Sequence, residues 1–233
     1  SLVIRQGESI GIVGPTGAGK STLVDVIVGL LPPQVGQITV DRTSIVGRSR
    51  SWRRHIGYVP QSIFLLDDTL RRNIALGVPD AQIDEKAVRN AVRMAQIETL
   101  VHGLPQGLDT MLGERGVRLS GGERQRIGIA RALYHDPDVL VFDEATSALD
   151  NVTEAEVTRA IENLHGEKTM LVIAHRLTTV RNCDRLVFLE EGRVKATGSY
   201  EQLVSEEPAF AHMAQAGEGG PRAAPPTPDA SWP

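Results

Sequence analysis

The stretch Gly14-Pro15-Thr16-Gly17-Ala18-Gly19-Lys20-Ser21-Thr22 has the form G-x-x-x-x-G-K-S/T, and few segments restrict a fold so strongly. A triphosphate packs several negative charges into a small volume. Glycines at 14, 17 and 19 let the backbone bend so that N–H groups point inward, and a helix starting at once offers its positive end. Lys20 is placed to reach the β- and γ-phosphates, and Ser21 to ligate Mg2+. The flanks agree. Residues 9–13 are a short apolar run, and residues 20–30 carry apolar side chains at helical spacing, so the loop joins a buried strand to a helix.

Two carboxylates stand where such a sheet needs them. Residues 139–142 are apolar and Asp143 closes the run. A carboxylate ending a buried strand is costly unless a cation or donor compensates it, and Mg2+ held partly through water does so. Glu144 follows, at the crevice above a strand end, where a carboxylate can orient and partly deprotonate the attacking water. Residues 56–59 and 169–174 read as further buried strands, and 185–189 with 193–197, joined through Glu190-Glu191-Gly192, as a hairpin. Ser120-Gly121-Gly122 precede a helical stretch, 123–133, and make a second helix start able to bind an anion. One domain already surrounds its phosphates with the loop at 14–22. The second site therefore requires a second phosphate or a second chain.

The middle of the chain differs in character. Residues 69–75 and 85–100 read as helices, the latter from the spacing of Val88, Ala91, Val92 and Ala95, while 104–117 is turn-rich. A mostly helical insert thus separates the phosphate loop from the later strands. A net charge of −4 gives no electrostatic reason to bind nucleic acid or an acidic membrane. No run approaches the roughly 18 apolar residues of a membrane span. Cys183, the single cysteine, cannot form an internal disulfide, which suits a reducing compartment, and it reads as a small buried apolar side chain. The chain opens without Met or a secretory leader and reads as part of a longer one. Residues 217–233, rich in Pro, Ala and Gly, are expected to form a disordered tail.

Together, the phosphate loop, Leu119-Ser120-Gly121-Gly122-Glu123, Asp143-Glu144 and His175 give a specific pattern. Over about residues 7–216 the chain resembles the nucleotide-binding (ATPase) domain of the ATP-binding cassette (ABC) transporters. The resemblance implies an α/β phosphate-loop NTPase with a mostly parallel sheet core, an antiparallel β part and a helical subdomain over about 69–135. It implies ATP and Mg2+ as ligands, with Gln61 touching Mg2+ and the attacking water and His175 bonding the γ-phosphate. Catalysis would then fall to Glu144, His175, Lys20 and Gln61, and the metal to Ser21, Gln61 and Asp143. Two domains would pack head to tail around two nucleotides. Ser120, Gly121 and Gly122 of each would close over the other's ATP, with Asp150 crossing the interface. Glu123 stands where Gln is more common, and both suit a helix start.

Gly113-Glu114-Arg115-Gly116 resembles the exporter-specific segment that contacts transmembrane coupling helices, and residues 62–68 are an apolar stretch beside Gln61. The implied partners are a second such domain and the transmembrane domains of an exporter, on the cytoplasmic face of a membrane. The runs at 134–137 and 148–151 resemble bacterial half-transporters of lipid-linked saccharides. No aromatic residue precedes Gly14 to stack on adenine. The family's first strand and adenine platform are therefore expected to be missing from this stretch, weakening ATP binding by about 1–3 kcal/mol. Two rival readings stand beside this one. A soluble cassette ATPase acting on nucleic acid would use the basic run Arg48, Arg50, Trp52, Arg53, Arg54 and His55, against the acidic balance of the chain. A nucleotide-binding module without turnover is opposed by the presence of Glu144 and His175.

Overall fold

The computed structural model describes residues 1–113, 119–147, 149–174 and 176–218. In chain order the elements begin with β1 (Ser9–Val13), α1 (Lys20–Ile27), β2 (Thr39–Val40), β3 (Thr43–Ser44), α2 (Ser49–Arg53) and β4 (Ile56–Val59). The insert follows as α3 (Leu70–Ile74), α4 (Glu85–Met94), α5 (Glu98–Gly103) and α6 (Gly121–Leu133). Then come β5 (Val139–Asp143), α7 (Asn151–Glu162), β6 (Thr169–Ile173), β7 (Arg185–Glu190), β8 (Arg193–Gly198), α8 (Tyr200–Glu206) and α9 (Pro208–Glu218).

The main sheet has the order β4-β5-β6-β1-β7-β8. Its first five strands run parallel, and β8 returns antiparallel to β7. β2 and β3 form a separate small antiparallel pair. Successive strand side chains point to opposite faces, and here both faces are dry. Ile10, Ile12, Val141, Leu171, Ile173, Val187 and Leu189 pack with Val24 of α1 and Val28 just after it. Val13, Leu140, Phe142, Met170, Val172, Leu186 and Phe188 join the larger core with Ile127 and Ile129 of α6 and Val157 of α7. Burial on both sides is why these strands read as continuous apolar runs rather than alternating ones. Each such side chain contributes about 1.5–3 kcal/mol when removed from water.

Two helices end earlier than their apolar spacing suggests, for one geometric reason. α1 stops at Ile27 because Gly29 takes φ 74°, with Leu30 N donating to Asp25 O at 2.8 Å and Gly29 N to Val26 O at 3.1 Å. This pair of bonds is the Schellman turn. α4 closes the same way. Gln96 sits at φ 55°, Ile97 N donates to Val92 O and Gln96 N to Arg93 O, both at 3.1 Å, and Ile97 is buried behind the turn. The single helix expected over 85–100 is therefore two, α4 and α5. Gln is not a residue that announces a left-handed cap, so the break has no clear sequence signal.

The helical insert is fastened to the segment after β4 by polar ties around the buried Asn73. Arg131 donates from Nε to Asn73 O at 2.8 Å and from Nη1 to Phe64 O at 2.9 Å, and Asn73 Oδ1 accepts from Leu66 N at 2.8 Å. At the other end of the chain α9 continues through Glu218, past the boundary expected at 217, and residues 219–233 lie outside the described residues. Among the described residues no helix is long and apolar enough to cross a membrane.

Candidate nucleotide site

Parallel strands present their C-terminal ends on one edge of the sheet, so the segments following β1, β4 and β5 meet there. The loop after β1 crests at Pro15, Thr16 and Gly17, which are exposed, while Gly14 and Ala18 are buried beneath it. Gly14 has φ 152°, and a Cβ there would fall 2.2 Å from Leu189 O. Gly192, in the turn between β7 and β8, donates its N–H to Ala18 O at 3.0 Å. The loop thus rests on the β7–β8 hairpin, and Gly14 serves this close approach as well as the bend.

α1 begins behind Gly19, at φ 94°, with no side-chain cap on its first turn. A helix start left uncapped by side chains directs its N–H groups at whatever anion the loop encloses. Ser21 and Thr22 are exposed at that end. Lys20 is only 6% exposed, and its Nζ donates to Gly14 O at 2.8 Å and Pro15 O at 3.1 Å. Burial lowers the pKa of Lys20, and the charge of Glu144 partly opposes that shift. The ammonium is held by two neutral carbonyls and lies close to a carboxylate, an arrangement suited to receiving phosphate oxygens.

Asp143 ends β5 and accepts from Tyr58 Oη at 2.6 Å on Oδ2. Burial first, and this bond second, push the Tyr58 phenol above its ordinary range. Glu144 follows at φ 50°, with its N–H donated to Ile173 O at 3.0 Å. A non-glycine residue in the left-handed region is uncommon, and here it turns the chain out of the sheet just where Glu144 lies. One strand-end carboxylate and one hydroxyl, Ser21, suit Mg2+, which takes few protein ligands and draws the rest from phosphate and water. Among the described residues no group of three or more His, Cys, Asp or Glu forms a ready-made cage.

Gln61 lies past the end of β4, and its Nε2 donates to Ser147 Oγ at 2.9 Å. Pro60 O beside it accepts from Gln125 Nε2 of α6 at 3.2 Å. In this arrangement the Gln61 amide is engaged with the segment after Glu144. Ser120 caps α6 in a capping box. Ser120 Oγ accepts from Glu123 N at 3.3 Å, and Glu123 Oε2 accepts from Ser120 N at 2.7 Å. Glu at this position therefore completes the helix start. Gly121 and Gly122 pack against α7 and the segment before it, where a Cβ on Gly122 would meet Thr153 Cγ2 at 2.2 Å and one on Gly121 would meet Leu149 Cδ2 at 2.9 Å. Asp150 caps α7, accepting from Val152 N and Thr153 N at 3.1 Å and from Thr153 Oγ1 at 2.7 Å, bonds that lower its pKa. The structure thus gives Ser120, Gly121, Gly122 and Asp150 neighbours of their own, apart from the phosphate loop.

His175, Ala148 and residues 114–118 lie outside the described residues, and with them most of the exporter-like Gly113-Glu114-Arg115-Gly116 segment. Sequence reasoning overlooked a polar network immediately after His175. Arg176 Nη1 pairs with Glu154 Oε2 of α7, and Arg176 Nη2 donates to Leu149 O at 3.3 Å. Glu154 Oε1 also accepts from Thr179 Oγ1 at 3.2 Å. Glu154 sat unremarked in a helix of ordinary amphipathic spacing; only its burial gives it away. Tyr58 was overlooked too, as one more apolar residue in a strand, although an aromatic with a polar tip needs a partner when partly buried.

Comparison with known proteins agrees with this geometry. Residues 1–147 match the ABC transporter family. The chain is 44% identical over 215 residues to the ATP-dependent lipid A-core flippase of Cupriavidus metallidurans, covering 91% of this chain and 36% of that protein. It is 46% identical over 217 residues to the Beta-(1-->2)glucan export ATP-binding/permease protein NdvA of Rhizobium etli, covering 93% and 37%. Among solved structures, a bacterial Atm1-family ABC exporter with ATP bound superposes with a TM-score of 0.80 at 39% identity, over 92% of this chain and 38% of that one. The chain spans little more than a third of each of these proteins.

Proposed function

The chain belongs to the ABC transporter family, and we propose that it is the ATP-hydrolysing motor cassette of an exporter whose transmembrane domains are not in this sequence. One observation carries the reading. The phosphate loop with its uncapped helix start shares a sheet edge with Asp143 and Glu144, while a second helix start, Ser120 to Gly122, packs against α7 and the segment before it. Such a molecule has one phosphate cradle and, behind the capping box of Ser120 and Glu123, a second helix start at Gly121 and Gly122. The family pattern assigns that start to the other copy's nucleotide, which suits two copies closing head to tail over two nucleotides.

In this mechanism Lys20 exchanges its bonds to Gly14 O and Pro15 O for oxygens of the β- and γ-phosphates. Ser21 and Asp143 would hold Mg2+, with the Gln61 carbonyl as a further donor while its Nε2 bonds Ser147 Oγ. The chemistry Mg2+ would supply there is neutralisation of phosphate charge. Glu144 orients a water in line with the γ-phosphorus and takes its proton as the new P–O bond forms and the bond to the bridging oxygen of ADP breaks. His175, by the family pattern, donates a hydrogen bond to the γ-phosphoryl oxygens. Opening and closing of the pair reach the membrane partner through Gln61 and the segment at 113–116. The relatives named for lipid A-core flipping and glucan export favour a saccharide-bearing substrate, chosen by the membrane domains.

The test uses the chain and its Glu144→Gln variant with Mg-ATP, reading phosphate release and molar mass by light scattering. Turnover in the parent, none in the variant and an ATP-dependent dimer trapped by the variant are expected. A monomer without turnover at saturating ATP overturns the reading.

A further inference from the structure

Tyr58 has no part in the reaction described above, yet it makes a short hydrogen bond to the strand-end carboxylate. β4 and β5 are in parallel register with Tyr58 opposite Val141, so these two side chains share a face. Asp143 lies two residues beyond Val141 and returns to the same face, diagonally across from Tyr58. Diagonal neighbours of this kind are about 7–8 Å apart at the backbone, within reach of an aromatic ring but not of a short polar side chain. The reach is realised. Tyr58 Oη donates to Asp143 Oδ2 at 2.6 Å, inside the range for a hydroxyl on a carboxylate.

The bond constrains Asp143. A strand-end aspartate otherwise turns between staggered rotamers, and nothing in the apolar run before it would select one. With Oδ2 engaged by a ring that is itself anchored in β4, the carboxylate keeps one orientation and leaves Oδ1 for a metal-bound water. Gly57 and Val59, on either side of Tyr58, are buried, whereas Tyr58 is 40% exposed. The ring is therefore not demanded by the core, and a smaller or purely apolar residue would pack there as well. Its hydroxyl is what distinguishes it.

We propose that Tyr58 is a positioning residue for divalent-metal use, holding the Asp143 carboxylate ready through the bond to Oδ2. The proposal rests on Asp143 serving the metal side of the site. Partners that orient a metal ligand typically change metal affinity by about 10–100-fold when removed, and Tyr58→Phe keeps the ring while deleting only the hydroxyl.

The experiment measures binding of a fluorescent, non-hydrolysable ATP analogue to the full chain, first in EDTA and then across a Mn2+ titration, for the parent, Tyr58→Phe and Asp143→Ala. Tyr58→Phe is expected to match the parent within about two-fold in EDTA and to need about 10-fold more Mn2+ for half-maximal effect. The electron paramagnetic resonance linewidth of bound Mn2+ is expected to broaden as the carboxylate loses its fixed orientation. A role confined to folding would lower affinity in EDTA as well. If Asp143→Ala abolishes the metal effect while Tyr58→Phe titrates like the parent, the proposal falls alone. If Asp143→Ala titrates like the parent, it falls together with the metal role assigned to Asp143.

Discussion

Replacing Gly14 by Ala separates what the phosphate loop owes to its ligand from what it owes to the fold. The added Cβ would lie 2.2 Å from Leu189 O and 3.2 Å from Leu189 C, and the residue would hold φ at 152°. Relieving the overlap requires about 1 Å of separation, since carbon–oxygen contacts settle beyond about 3.2 Å. Leu189 has little room to give way, because its side chain is buried in the core and it pairs with Val194 of β8. The loop must rise instead, which pulls Ala18 O away from Gly192 N. Overpacking costs about 1–3 kcal/mol, and a side chain in this backbone region costs about 1–3 kcal/mol more. A loss of about 2–6 kcal/mol follows, before any nucleotide is present. Gly17 is the internal control: it also has positive φ, at 81°, but nothing lies within 4 Å of its would-be Cβ. Urea unfolding without nucleotide should therefore place Gly14→Ala about 2–6 kcal/mol below the parent and Gly17→Ala, which bears the backbone cost alone, about 1–3 kcal/mol below it, while both weaken ATP binding. A Gly14→Ala protein as stable as the parent would refute the close-approach argument and return the glycine to a purely ligand-facing role.

Two further outcomes are expected. Glu154→Ala removes the carboxylate partner of Arg176 and one of the two bonds of the Thr179 hydroxyl, leaving Arg176 its bond to Leu149 O and Thr179 its bond to Thr146 Oγ1. Breaking a buried pair costs about 3–5 kcal/mol, and because the Arg176 side chain is 39% exposed the expected loss is nearer ~2 kcal/mol, with urea unfolding as the measurement. A change below about 0.5 kcal/mol would mean the pair is as weak as a surface one. Burial pushes the Cys183 thiol up to about 11. Its protonated form is thus favoured by folding, a contribution fully present below the unfolded thiol's range and lost as pH rises through about 11. Between pH 9 and 11 the parent should lose stability faster than Cys183→Ala, and at pH 8 its thiol should react at least ~100-fold more slowly than in the urea-unfolded chain. Parallel pH profiles for the two proteins would remove the thiol as the cause.

Much of this site could be read from residue order because its chemistry is local. A loop that must bend, start a helix and carry a lysine leaves few choices between Gly14 and Thr22, and an aspartate closing residues 139–142 is conspicuous in an otherwise apolar run. The inner parallel strands β1, β5 and β6 are equally plain, being nearly continuous apolar runs followed by Gly14, Asp143 with Glu144, or His175. What escaped was non-local. Tyr58 meets Asp143 only because β4 and β5 are neighbours in a particular register, and no spacing along the chain encodes that. Glu154 and Arg176 find each other across α7. The break at Gln96 depends on Ile97 being drawn into the core, a tertiary demand that overrides the helical pattern of residues 85–100. Gly122 was read as ligand-facing, and the structure adds that Thr153 leaves it no room for a side chain.

The order of strands also has a consequence for how such a chain is born. β1 leaves the ribosome long before its sheet partners β6 and β7, whose last residue is Glu190. At about 5–20 residues per second, β1 waits on the order of ten seconds or more for them. Until then the phosphate loop has no hairpin to rest on, and the strand that should hold it is an exposed apolar segment. Pairings this distant in sequence also close slowly once available. A nascent cassette can therefore take up ATP only when its last strands have arrived, so nucleotide acts as a seal on finished molecules and cannot rescue those abandoned midway.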